Sequence, residues 1–117
     1  MRNQAAPLAE KKERGIDMIQ IEMLNIDGQA VQGLAIQNPG GEGHPNMLLL
    51  LCRKGYIMCG YLNAETAKSV DDAAAIIGGS CFEEILANPV KAVTPKAEEL
   101  GVEIGMTGAE AAKRLNG

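Results

Sequence analysis

Three thiols and one imidazole are the groups of this chain best suited to nucleophilic or acid–base chemistry: Cys52, Cys59, Cys81 and His44. A cysteine nucleophile needs a base within hydrogen-bond reach. His44 is the sole histidine, and it stands in the run NPGGEGHPN, residues 38–46. Four of the five residues over 39–43 are Gly or Pro, so this connection is able to move and to cover a site, as binding loops do. Cys59 ends an apolar run beside Gly60, whose missing side chain lets another group approach the backbone. Cys59, Gly60 and His44 are therefore the candidate ligand-binding set. Against a catalytic Cys59 stands the ordinary role of a free cysteine, that of a small buried hydrophobe.

Cys81 lies in the run GGSC. Ser80 and Glu83 have the S-x-x-E spacing of a capping box, which predicts that Cys81 occupies the first turn of a helix. Unpaired N–H groups and the helix dipole lower a thiol pKa there, and Gly78-Gly79 offers an anion nest. The plainer reading is a strand–turn–helix joint. Cys52 and Cys59 are compared through the hairpin that joins them. A two-residue turn at Lys54-Gly55 sets Cys52 opposite Ile57, with the two sulfurs on one face and a diagonal step of about 7–8 Å apart. That is too far for a relaxed disulfide.

An odd cysteine count without a CxxC pair is neither a disulfide framework nor a zinc ribbon. No metal and no cofactor are expected, and reduced thiols point to the cytoplasm. The adjacent acidic pairs Asp71-Asp72, Glu83-Glu84 and Glu98-Glu99 diverge around a helix and read as solvated faces. The methionines Met23, Met47, Met58 and Met106 read as core filling.

The elements that must position these groups follow from periodicity. The length, 117 residues, suits one domain. Residues 18–26, MIQIEMLNI, alternate as a half-buried strand does. Asp27-Gly28 is a type I′ hairpin signal, and the return over 29–37 pairs Ile21 with Leu34 and Asn25 with Ala30. MLLLLC, from Met47, is apolar on both faces and is expected to be covered on both sides. A second hairpin leads to a strand over 56–59. Asn63 caps a helix over 64–72, and 73–77 reads as a strand. After Cys81 come a strand over 90–94, a helix opened by Thr94-Pro95 and closed by Gly101, and a last helix from a Thr107/Glu110 capping box. The expected fold is α+β: an N-terminal β-meander in a mixed sheet, with short helices packed on one face. Residues 1–17 are expected to be a mobile tail and 18–117 a single domain. The uncovered face of MLLLL predicts a homo-oligomer.

KGYIMCGYLN (54–63) and VKAVTPKAEELGVEIGMTGAEAAKRL (90–115) resemble the YunC-like family of small bacterial and archaeal proteins, a domain of unknown function. The resemblance covers about residues 18–116, with IIGGSCFEE departing from the family's pattern. It implies an α+β domain whose N-terminal β region forms a tetramer. It implies no activity.

The formal charge is −4, and Tyr56, Tyr61 and Phe82 are the only aromatic residues. Both features disfavour a nucleic-acid partner. The absence of an 18-residue apolar run disfavours a membrane span. The chain is thus expected to be an uncharacterised, non-catalytic homo-oligomeric module that binds a small metabolite or a protein partner. The alternative is a small enzyme using the thiol of Cys59 or Cys81.

Overall fold

The alternation that begins at Ile19 builds a hairpin. In a computed structural model that describes residues 18–40 and 42–117, β1 (Ile19–Ile26) and β2 (Gln29–Ile36) run antiparallel. The tail expected over 1–17 lies outside the described residues. Asp27 and Gly28 join the strands with φ of 52° and 87°, the left-handed pair of a type I′ turn. The Gly28 N–H donates to Asn25 Oδ1 at 2.8 Å. Ile21 stands opposite Leu34 and Asn25 opposite Ala30, the register that alternation and turn predict.

β3 (Met47–Leu51) pairs with β2, and β4 (Tyr56–Met58) pairs with β3, both antiparallel. The turn between them corrects the expected Lys54-Gly55 hairpin. Leu50 faces Ile57, and the Cys52 N–H donates to the Gly55 carbonyl at 2.9 Å, so Arg53-Lys54 form the turn. The register slides by two residues. The Cys59 N–H donates to the Leu48 carbonyl at 3.1 Å, so Cys59 lies beside Leu48, further from Cys52 than expected. The cause is tertiary. The Arg53 N–H donates to Asn116 Oδ1 and the Lys54 N–H to the Leu115 carbonyl, each at 2.8 Å. The C-terminal helix thus takes up the turn's free donors.

After β4 the chain crosses through α1 (Ala64–Ser69) to β5 (Ala74–Ile76), which is parallel to β4. Asn63 Oδ1 accepts from Glu65 and Thr66, the expected cap. α2 (Phe82–Ala87) leads to β6 (Ala92–Val93), antiparallel to β5; α3 (Pro95–Glu99) and α4 (Gly108–Asn116) follow. The six strands lie in chain order across one mixed sheet. Thr94 caps α3 as expected. Its Oγ1 also accepts from Ala74 at 3.0 Å and donates to the Asp72 carbonyl at 2.7 Å, fastening α3 to β5.

The sheet's two faces differ. Val31, Leu50, Ile57, Ala75 and Ile77 pack beneath Ile85 of α2 and Ala111, Ala112 and Leu115 of α4. α1 corrects the expectation of helices on one face only: Ala67 packs with Met58 and Ala74 on the opposite side. There the row Ile21, Leu34, Leu49, Met58, Ile76 crosses the sheet. α1 covers only its β4–β5 end. Ile19, Ile21 and Met23 are 57, 64 and 64% exposed, so in the single chain the outer face of β1–β3 is not covered as MLLLL predicts.

Two capping assignments also change. Cys81, not Ser80, is the N-cap of α2, and Glu84 rather than Glu83 reaches back to Ser80. At α4 the Thr107 hydroxyl accepts from the Glu110 N–H as expected. The Glu110 carboxylate instead accepts from Arg114 at 2.9 Å, because the guanidinium one turn on is the stronger donor.

Candidate functional site

The site is built where the short parallel ladder ends. The Tyr56 N–H donates to the Ala73 carbonyl and the Ile77 N–H to the Met58 carbonyl, each at 3.0 Å. Beyond Ile77 the strands part. Cys59 turns to Leu48 of β3, and Gly60 begins the chain's path to α1. Among the described residues, the N–H groups of Gly60, Gly78 and Gly79 have no acceptor. Parting strands leave a cavity of about 470 Å³ lined by Cys59 and Gly60 on one side and Gly78, Gly79 and Glu84 on the other. Pro45 and Asn46, at the end of the 38–46 loop, close its rim.

Several contacts hold these walls. Asn38 Nδ2 donates to the Pro45 carbonyl at 3.1 Å and to the Tyr61 hydroxyl at 2.8 Å, tying the loop to the segment after Gly60. The Asn88 amide donates to the Gly78 carbonyl at 2.7 Å. Gly79 has φ of 155°, and a methyl there would sit 3.0 Å from the Glu84 Cβ. Only glycine lets this backbone lie against the start of α2. The Glu84 carboxylate accepts from both the N–H and the hydroxyl of Ser80, at 2.8 and 3.1 Å. Those bonds hold its carboxyl below the usual carboxylate range.

The sequence-derived candidates separate. Cys59 and Gly60 line the cavity. Cys59 is buried, and its sulfur accepts the Leu48 N–H at 3.3 Å. His44 is exposed and does not line the cavity. A methyl at Gly40 would sit 2.8 Å from its ring, so the imidazole packs over its own loop. Cys81 makes no capping hydrogen bond and lines a different cavity of about 210 Å³ with Gln20 and Glu22. Cys52 lies at the β3–β4 turn, where burial pushes its thiol up to about 11. No arrangement of a thiol with the imidazole is formed. Glu84 is a lining residue that the sequence reading missed; its signal is the i, i+4 spacing from Ser80.

A third cavity, of about 530 Å³, lies between α1 and the outer sheet face, lined by Leu49, Leu51, Met58 and Val70. At its edge the Tyr56 hydroxyl donates to Asp72 at 2.6 Å. Burial and the Asp72 carboxylate push that hydroxyl up to about 12. The pair spans 16 positions and has no local signal.

Residues 58–115 match a domain of unknown function, DUF1805. The chain is similar to an uncharacterised protein of Bacillus subtilis, YunC, with 28% identity over 103 residues, covering 84% of this chain and 98% of that one. It is also similar to the crystal structure of a protein of unknown function from Thermoplasma acidophilum, TA1206. The TM-score is 0.75 and the identity 29%, over 84% of this chain and 93% of that one. The matched domain contains Cys59, Gly60, Gly79 and Glu84; Pro45, Asn46 and the β1–β2 hairpin lie outside it.

Proposed function

We propose, for a chain that belongs to the YunC-like family, a role as a non-catalytic, cytoplasmic homo-oligomeric module that binds a small molecule where β4 and β5 part. The observation that carries this reading is the cavity at the carboxyl ends of the parallel pair. Ligands of open sheets with parallel strands collect in that place, because the diverging connections leave a crevice and free backbone groups. The separation of His44 from the buried Cys59 sulfur favours binding over thiol catalysis.

Assembly is read from the other end of the sheet. Ile19, Ile21 and Met23 expose apolar surface on one face. Burying each such side chain fully stabilises by about 1.5–3 kcal/mol, and a contiguous apolar patch marks an interaction surface. The partner is a second copy of this chain, and a tetramer is the state that the family resemblance implies. Light scattering should give a multiple of 12.3 kDa.

A metabolite screen by thermal shift tests the site, with Gly60→Val as the blocking variant. A side chain at Gly60 meets no protein atom within 4 Å, so the variant should keep the fold and assembly while filling the cavity and abolishing binding. Retained binding removes the cavity assignment. Cys59→Ser and His44→Gln are read beside it. Both should weaken the ligand if the 38–46 loop closes over Cys59. Binding that survives His44→Gln leaves the rim to Pro45 and Asn46.

A further inference from the structure

We infer that this cavity takes a free α-amino acid with a large apolar side chain, held through both its carboxylate and its ammonium group. The inference rests on the binding role just proposed and names the chemistry of that same site.

The walls make two opposite polar demands. Gly60 on one wall and Gly78 and Gly79 on the other carry N–H groups without an acceptor among the described residues. A methyl at Gly78 would sit 2.9 Å from Lys91 Nζ, so an ammonium stands beside Gly78. The exposed Glu84 side chain stands on the same wall as Gly78 and Gly79. Both Ser80 contacts fall on its Oε1. Its Oε2 has no donor among the described residues.

A simple anion would satisfy the glycine donors and be repelled by Glu84. A simple cation would pair with Glu84 and leave the glycine donors to water. An α-amino acid carries one group of each sign on a single carbon and meets both demands together. Charge-assisted bonds of this kind are about twice as strong as neutral ones. Pro45, Tyr61 and Cys59 supply the rest of the wall and suit a hydrocarbon or aromatic side chain. The volume, about 470 Å³, leaves room for a large one.

Calorimetry on the full-length oligomer tests this with L-leucine, L-methionine, L-phenylalanine and L-tyrosine. Each is compared with the amine that lacks its carboxylate and the acid that lacks its ammonium group. At least one amino acid should bind at least about tenfold more tightly than both truncated analogues. Glu84→Gln should weaken that amino acid by about tenfold or more and leave the ammonium-free acid unchanged. Glutamine still accepts from Ser80, so the circular dichroism spectrum and the oligomer mass should hold. The inference is overturned if none of the four binds, if a truncated analogue binds as tightly, or if Glu84→Gln leaves affinity unaltered. A different metabolite, bound by the parent protein and lost in Gly60→Val, would overturn the ligand class while keeping the binding role. If no ligand of the parent protein is lost in Gly60→Val, both are overturned.

Discussion

β1 and β2 run for eight residues each, whereas β4 and β5 run for three. The long pair is held by its own ladder and turn, and its outer face is bare in the single chain. The short pair makes little ladder of its own. Packing holds it instead: α4 and α2 lie over Ile57 and Ala75, and α1 lies over Met58 and Ala74. A strand covered on both faces needs few hydrogen bonds to stay in place, since burial of its side chains does the holding. Because that ladder is so short, its strands part early, and the cavity lies at their parted ends. In the role proposed above, the hairpin half offers a surface to a second copy of the chain and the crossover half a cavity to a small molecule.

If stability is concentrated in the crossover half, damage there should be the most severe. A methyl at Gly108 would collide with the Ile85 carbonyl, where α4 crosses α2. Gly108→Ala should cost about 3 kcal/mol in urea unfolding, and a loss under about 1 kcal/mol would mean that the two helices have room to separate. Thr94 comes next. It is 2% exposed, and Thr94→Val leaves the Ala74 N–H without its acceptor and α3 without its cap. The expected loss is about 2 kcal/mol, read in the same unfolding experiment.

The hairpin half should respond in the opposite way. Ile21→Glu places a charge at an already exposed position, so unfolding of the subunit should change by less than about 0.5 kcal/mol. The proposed oligomer, however, should dissociate on a sizing column. Monomer stability that falls as far as in Gly108→Ala would erase the contrast.

Alkaline titration sharpens the comparison further. Tyr56 keeps its proton in the folded chain up to about 12, and an unfolded tyrosine ionises near pH 10. The stabilisation from its bond to Asp72 is therefore complete below pH 10 and is lost as pH rises from 10 to 12. Tyr56→Phe should flatten that part of the stability profile. A profile unaltered by the substitution would show that the Tyr56–Asp72 bond does not hold β4 to the end of α1. The smallest effect is on labelling rate. Cys52, with its thiol pushed up to about 11, should be alkylated by iodoacetamide at pH 7 more slowly than Cys81, as peptide mapping would show.

Alternation and the Asp27-Gly28 turn determined the register of the first hairpin without help from the rest of the chain. Asn63, Thr94 and Thr107 likewise marked the starts of α1, α3 and α4. These features are legible because every contact involved lies within a few residues. The β3–β4 turn was misplaced by one position, and the register by two, because Leu115 and Asn116 of α4, more than 60 residues away, take its donors. The bond from Glu84 to Ser80 replaced the expected capping box once the backbone at Gly78 and Gly79 had set Cys81 as the cap. Of the cavity, the sequence determined Cys59 and Gly60, which end one strand. Tertiary structure alone set Gly79 and Glu84 opposite them, because a parallel pair is completed only after a crossover has folded back, and no local pattern encodes which two strand ends will part.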